Sequence, residues 1–191
     1  MKPIPEPRMT ASEVESYAVQ YDIPYDAKVE QLVADVQQRG RLTKAELALV
    51  GEWKSPRIRP RLAQNSEELI REVTRIALET RSVSVAVHVL QALAGVGMPV
   101  ASTILHWFHR DPFPILDWRA AWSMGFEPQA YSLVFWESYV ETARSLSSSW
   151  GVDMRTLDRA LWKFSEVNQP RELGDQGARS QPIEKQAASR R

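Results

Sequence analysis

Three groups among the 191 residues have types and spacings that chemistry could use. The first is Asp117, which closes the run Phe113-Pro-Ile-Leu-Asp117 directly before a helical pattern. A carboxylate in that place can cap the helix by accepting from the free N–H groups of its first turn. Turned outward at the helix mouth, it can also handle a proton or stabilise developing positive charge. The second group is Gly95-Val96-Gly97, followed at once by Met98-Pro99-Val100-Ala101-Ser102. Two glycines permit positive φ and bare the backbone, so an anion can approach the N–H groups that open the next helix, helped by its dipole. Pro99 suits that first turn, where its missing N–H would have had no partner. The third group is Lys54, Arg57, Arg59 and Arg61, crowded into one Pro-containing segment that is either a phosphate-facing strip or a solvated loop. His106 and His109 stand three apart on one predicted helix, but no third ligand completes a set, and no metal site is expected. Ser147, Ser148 and Ser149 lack a Gly-x-Ser-x-Gly elbow, so they do not indicate a hydrolase.

The elements that must position these groups read as helices. Apolar spacing and capping residues predict helices near 12–20, 27–39, 43–54, 66–80, 83–93, 98–109, 117–124, 130–149 and 153–166. The helix at 66 is expected to be capped by Asn65, with Glu68 as the capping-box partner and Leu69, Val73, Ile76 and Ala77 as the apolar stripe. Val83, Val85, Val87 and Val89 alternate with smaller or polar residues, which is a strand-like period. A lone strand would have no partner, and Ala86, Leu90 and Leu93 fit a helix ending at Gly95, so a helix is expected there. The expectation is an all-α domain over 12–169, with a flexible N-terminus at 1–11 and a disordered polar tail at 170–191.

On residues Leu93, Gly95, Val96, Gly97 and Ala101 the chain resembles the helix-hairpin-helix family, whose pattern is Leu-x-Gly-Val-Gly-x-x-x-Ala. With Asp117 twenty positions beyond Gly97, the stretch of about residues 86–125 resembles the base-excision DNA glycosylases that include endonuclease III and the A/G-mismatch adenine glycosylase. The resemblance implies a compact helical glycosylase fold that grips duplex DNA through Gly95, Val96, Gly97, Pro99 and Ser102, flips a damaged or modified base, and cleaves its N-glycosidic bond with Asp117. Members that also nick the strand carry a Lys eighteen residues before the Asp; Pro99 stands there, which implies a monofunctional enzyme leaving an abasic site. Trp53, Lys54, Arg57, Trp118 and Arg119 are the expected base-pocket or DNA-contact residues. The work implied is DNA repair, or defence against phage DNA that carries modified bases. A non-catalytic helix-hairpin-helix DNA-binding module and a helical protein-interaction domain are the competing readings.

Composition narrows the field. The chain has no Cys, so disulfides, Cys-ligated zinc, thiol nucleophiles and the iron-sulfur cluster of the resembled relatives are excluded. No cofactor is expected apart from a monovalent cation that hairpin carbonyls could hold by resemblance. The formal net charge of zero is unusual for a nucleic-acid binder and leaves the backbone N–H groups of the hairpin to do part of the gripping. No eighteen-residue apolar run and no signal-like segment occur, so a cytoplasmic monomer with duplex DNA as partner and no membrane is expected.

Overall fold

In the computed structural model, residues 5–22 and 26–170 are described, and over them the chain is all-α, with no strand. Thr43 and Glu46 cap α4 (Lys44–Lys54) as a reciprocal box. Ser82 caps α7 (Val83–Leu90), Ser132 caps α10 (Leu133–Trp150), and Asp153 caps α11 (Met154–Asn168). Each of these side chains accepts an N–H that the helix itself cannot pair. Between them lie α5 (Arg59–Leu62), α6 (Glu67–Glu79), α8 (Met98–Phe108) and α9 (Trp118–Ser123). Ahead of them stand α1 (Val14–Ala18), entered through a 3₁₀ turn at Ala11–Glu13, then α2 (Asp26–Glu30) and α3 (Val33–Arg39). Among the described residues no helix is long and apolar enough to cross a membrane.

Several boundaries depart from the sequence expectation. The single helix expected over 27–39 is two, α2 and α3, with Leu32 N–H turning back to Val29 O between them. No Gly or Pro marks that break; Asp26 is tied by α11 arginines while Val36 is drawn into the core, and the chain bends to satisfy both. The cap of α6 is Ser66, which accepts from Leu69 N–H, not Asn65. Asn65 is buried instead, donating to Leu62 O and Ala94 O and accepting from Ala94 N–H. The buried face of α6 is Ile70, Val73, Thr74, Ala77 and Leu78, so Leu69 and Ile76 of the expected stripe are exposed. Thr74 explains the rotation, because its hydroxyl accepts from Leu42 N–H in the core and pulls that side of the helix inward. The valine alternation at 83–89 is helical, as tertiary packing demands where a strand would have no partner.

The N-terminal end is also firmer than expected. Met9 is buried, Arg8 N–H donates to Ser123 O at 2.8 Å, and Arg8 pairs with Glu127 at 2.8 Å. Gly125, at φ +92°, admits the Glu6 carbonyl so closely that a Cβ would lie 2.1 Å from it. Residues 5–10 are therefore docked on the end of α9, while residues 1–4 of the flexible terminus expected over 1–11 lie outside the described residues. The polar tail expected at 170–191 lies, beyond residue 170, outside the described residues.

One hydrophobic cluster runs through all these helices, with Trp136, Tyr139, Phe108 and Phe113 among its largest fully enclosed side chains. Phe113 stacks on Trp136 at 6.1 Å. That contact starts the extended stretch 112–116, which leads to α9 with no strand beside it. Side chains supply the backbone partners that a sheet would otherwise give. Arg144 Nε donates to Pro112 O at 2.7 Å, His106 Nδ1 to Phe113 O at 2.7 Å, and Tyr139 Oη to Ile115 O at 2.8 Å. Leu116 N–H donates to Ser102 Oγ at 2.8 Å. Two helices, α8 and α10, thus hold the residue that follows.

Candidate active site beside a glycine turn

That residue is Asp117. It is the N-cap of α9, with extended backbone and Oδ1 accepting from Arg119 N–H at 2.9 Å. Its other oxygen, Oδ2, receives Lys54 Nζ at 3.2 Å. The Asp117 side chain is 20% exposed and that of Lys54 15%, so the pair is neither sealed nor loose. Capping and chemistry coexist in one side chain, because each role uses a different oxygen.

Two chains of contacts tie Asp117 to the glycine turn between α7 and α8. Through α8, Ser102 Oγ donates to Pro99 O at 2.9 Å while accepting from Leu116 N–H, linking the first turn of the helix to the peptide before Asp117. Through α4 and α5, Lys54 is followed by a 3₁₀ turn at Pro56–Ile58 and then by α5, against which Gly95 packs. At Gly95 (φ +83°) a Cβ would lie 2.9 Å from Arg61 Cβ and 3.2 Å from Leu62 N, so only glycine fits. Gly97 differs: its φ of −90° needs no glycine, and a Cβ there would meet nothing nearer than Pro99 Cδ at 3.9 Å. Its bare backbone faces open space at the start of α8, with no side-chain cap.

The residues singled out from the sequence take different places in the fold. Gly97 and Pro99 are at the accessible mouth of α8, and Gly95 shapes the turn behind it. Val96 is not a backbone contact: it is 5% exposed and its N–H is spent on Leu93 O. Ser102 is not one either, being fully buried with its hydroxyl engaged on both sides. It acts as the brace for Asp117. Arg57 is exposed on the turn after Lys54. Trp53 is no free stacking platform, since its indole N–H donates to Asp26 at 2.9 Å and its ring packs edge-on against Trp107. Arg119 lies over the rings of Trp118 and Trp162, at 4.5 and 5.4 Å. Both nitrogens of His109 are occupied, Nδ1 by Asp111 N–H and Nε2 by Thr80 O.

Beneath the Lys54–Asp117 pair lies a set of charges that sequence reading did not assemble. Arg155 pairs with Asp26 and with Asp158, and Arg159 with Asp26 and Glu30. Burial pushes the Asp158 carboxyl up to about 6, against the pull of Arg155 and Lys54 and with added repulsion from Asp117 and Asp26. A signal for this existed: Asp158 interrupts the buried face of α11 formed by Met154, Leu157, Ala160, Leu161 and Phe164. A carboxylate on an apolar stripe demands partners. On another side, Trp118, Trp122, Phe126, Tyr131 and Phe135 line a shallow recess with a volume of about 20 Å³, room for a single water. The Tyr131 hydroxyl is buried and has no hydrogen-bond partner among the described residues. Burial, and then the charge of Asp117, raise its pKa, so it is a neutral hydroxyl.

Compared with protein-family models, curated proteins and solved structures, the chain matches none of them.

Proposed function

We propose that the protein is a monofunctional DNA glycosylase that grips duplex DNA at the Gly95–Gly97 turn and releases a damaged or modified base with Asp117. The observation that carries this reading is a partly exposed carboxylate, with one oxygen fixed by a helix cap and tied on two sides to an open, glycine-built helix N-terminus. As the C1′–N bond breaks, the base departs with its electron pair and the deoxyribose gains oxocarbenium character. A fixed carboxylate stabilises that charge and accepts a proton from the water that adds to C1′, leaving an abasic site. Lys54 keeps the carboxylate oriented until the sugar arrives, and Pro99 supplies no amine where the strand-nicking glycosylases that the sequence resembles have one.

Asp117→Asn is the test, because Asn caps a helix about as well as Asp and the fold should survive. The expected result is unchanged affinity for duplex DNA with base release reduced at least about 100-fold over a panel of modified duplexes. Retained release in that variant would remove Asp117 from the chemistry, and DNA binding without release by the wild type would leave a non-catalytic binding module. Borohydride should trap no covalent adduct. An adduct that forms in the wild type and vanishes in Lys54→Met would replace water by the Lys54 amine as nucleophile.

A further inference from the structure

We propose that the open cleft where the ends of α3, α6 and α8 meet binds a phosphate monoester through Arg81 and Arg110. The site is separate from Asp117 and does not depend on the reaction argued for that residue.

The cleft has a volume of about 420 Å³, which falls among small-ligand sites. Gln37 and Gln38 line it from the last turn of α3, and the buried side chains of Leu78 and Phe108 supply its apolar part. It lies at the end of α8 opposite the glycine turn, and eleven residues of helix put about 16 Å between them, so one phosphate cannot serve both places.

Charge decides the ligand. Among the cleft's ionic side chains Arg39 is paired with Glu46, Glu79 with Arg75, and Asp111 stands beside Arg144. Arg81 and Arg110 are exposed and make no ion pair or hydrogen bond among the described residues. A helix dipole acts within the last turn, and each of these arginines lies two residues past its helix, so the helix ends do not account for them.

A buried ring holds the two together. His109 is 7% exposed; its Nδ1 accepts from Asp111 N–H at 2.9 Å and its Nε2 donates to Thr80 O at 2.9 Å. Thr80 precedes Arg81 and His109 precedes Arg110, so a single hydrogen bond fixes both arginine-bearing segments on the same cleft. The amides of Gln37 and Gln38, also without a hydrogen bond among the described residues, add donors to it. Two guanidinium forks and two full charges match a phosphate monoester, with its near-double charge and three terminal oxygens, better than a carboxylate with one charge and two oxygens. The remaining volume is room for the group that the phosphate esterifies.

The experiment titrates the full chain calorimetrically with AMP, adenosine and inorganic phosphate. AMP should bind at least about tenfold more tightly than adenosine, and inorganic phosphate should compete with it. Arg81→Ala and Arg110→Ala should each weaken AMP binding at least about fivefold, and the double variant should abolish it, while Lys163→Ala on α11 leaves it within twofold. Each arginine variant should melt within a degree or two of the wild type, because neither side chain has a partner to lose. A short oligothymidylate with a 5′-phosphate is compared with its 5′-hydroxyl form: a preference that disappears in the double variant assigns strand ends to the same cleft, and no preference confines it to small esters. No binding of AMP by the wild type, equal affinity for adenosine, or AMP affinity unchanged in the double variant would overturn the site.

Discussion

His106 shows how a residue chosen for one kind of chemistry can serve another. From the sequence it is half of a possible metal pair; in the fold its Nδ1–H donates to Phe113 O and helps hold the segment that ends in Asp117. Burial, and next the charge of Arg155, push its pKa down to about 3, against the bond to Phe113. The folded value lies below the unfolded 6.5, so the neutral ring contributes stability that is present above pH 6.5 and is lost as pH falls toward 3. Asp158 runs the other way: its folded value is raised to about 6, and its contribution, full below pH 3.8, is lost as pH rises through 6. A comparison that keeps Asp158 constant separates the two. His106→Gln retains a donor for Phe113 O but does not titrate. Denaturant unfolding of both proteins from pH 7 to 4 should show the wild type losing about 2–3 kcal/mol more than the variant, at about 1.4 kcal/mol per pH unit. Parallel stability curves would show that His106 is not held neutral.

At the scale of elements, what a sequence displays depends on whether its signal is local. Caps and apolar periods are local, and the helices at 44–54, 83–90, 98–108 and 118–123 follow from them to within a few residues. The α2–α3 break, the short α5 and the rotation of α6 are set by partners distant in sequence, such as Arg155 for Asp26 and Leu42 for Thr74. The same division holds in the site. Asp117 and the glycine turn are legible as spacing, whereas the brace by Ser102, the Lys54 pairing and the placement of Tyr131 require the fold. The two glycines of the turn are alike in sequence and different in structure, and a matched pair of variants exposes this. Gly95→Ala forces a side chain to φ +83° and into Arg61 and Leu62, and should destabilise by about 1–3 kcal/mol. Gly97→Ala should melt within a degree or two of the wild type yet bind duplex DNA several-fold more weakly, since its methyl would stand where a phosphate approaches. Equal effects of the two on stability, or no loss of affinity in Gly97→Ala, would remove the turn from the DNA interface.

For the whole molecule the question is how a chain of zero net charge could hold a polyanion. Pairing answers part of it. On α6, Arg71 bonds Glu67, and Arg75 bonds both Glu72 and Glu79, so much of the acidic charge there is neutralised in place. Lys54 is committed to Asp117 and adds little to a phosphate track. Arg57, Arg59 and Arg61 are exposed on the stretch that packs behind the glycine turn, and at the head of α8 the N–H groups of Gly97 and Met98 remain for an anion, those of Val100 and Ala101 being spent on Gly97 O. Neutral backbone donors bind a phosphate without displacing as many counterions as a cluster of cations would, so affinity should depend on salt only weakly. With Arg57, Arg59 and Arg61 exposed on this stretch, log K against log salt should have a slope of about −3, well short of the values for proteins that neutralise six to ten phosphates. Fluorescence anisotropy with a labelled duplex between 50 and 200 mM NaCl measures it, and Arg59→Ala should flatten the slope by about one unit. A slope unmoved by that substitution would place the DNA on another face, and absence of affinity even at low salt would leave the helical interaction domain as the reading to pursue.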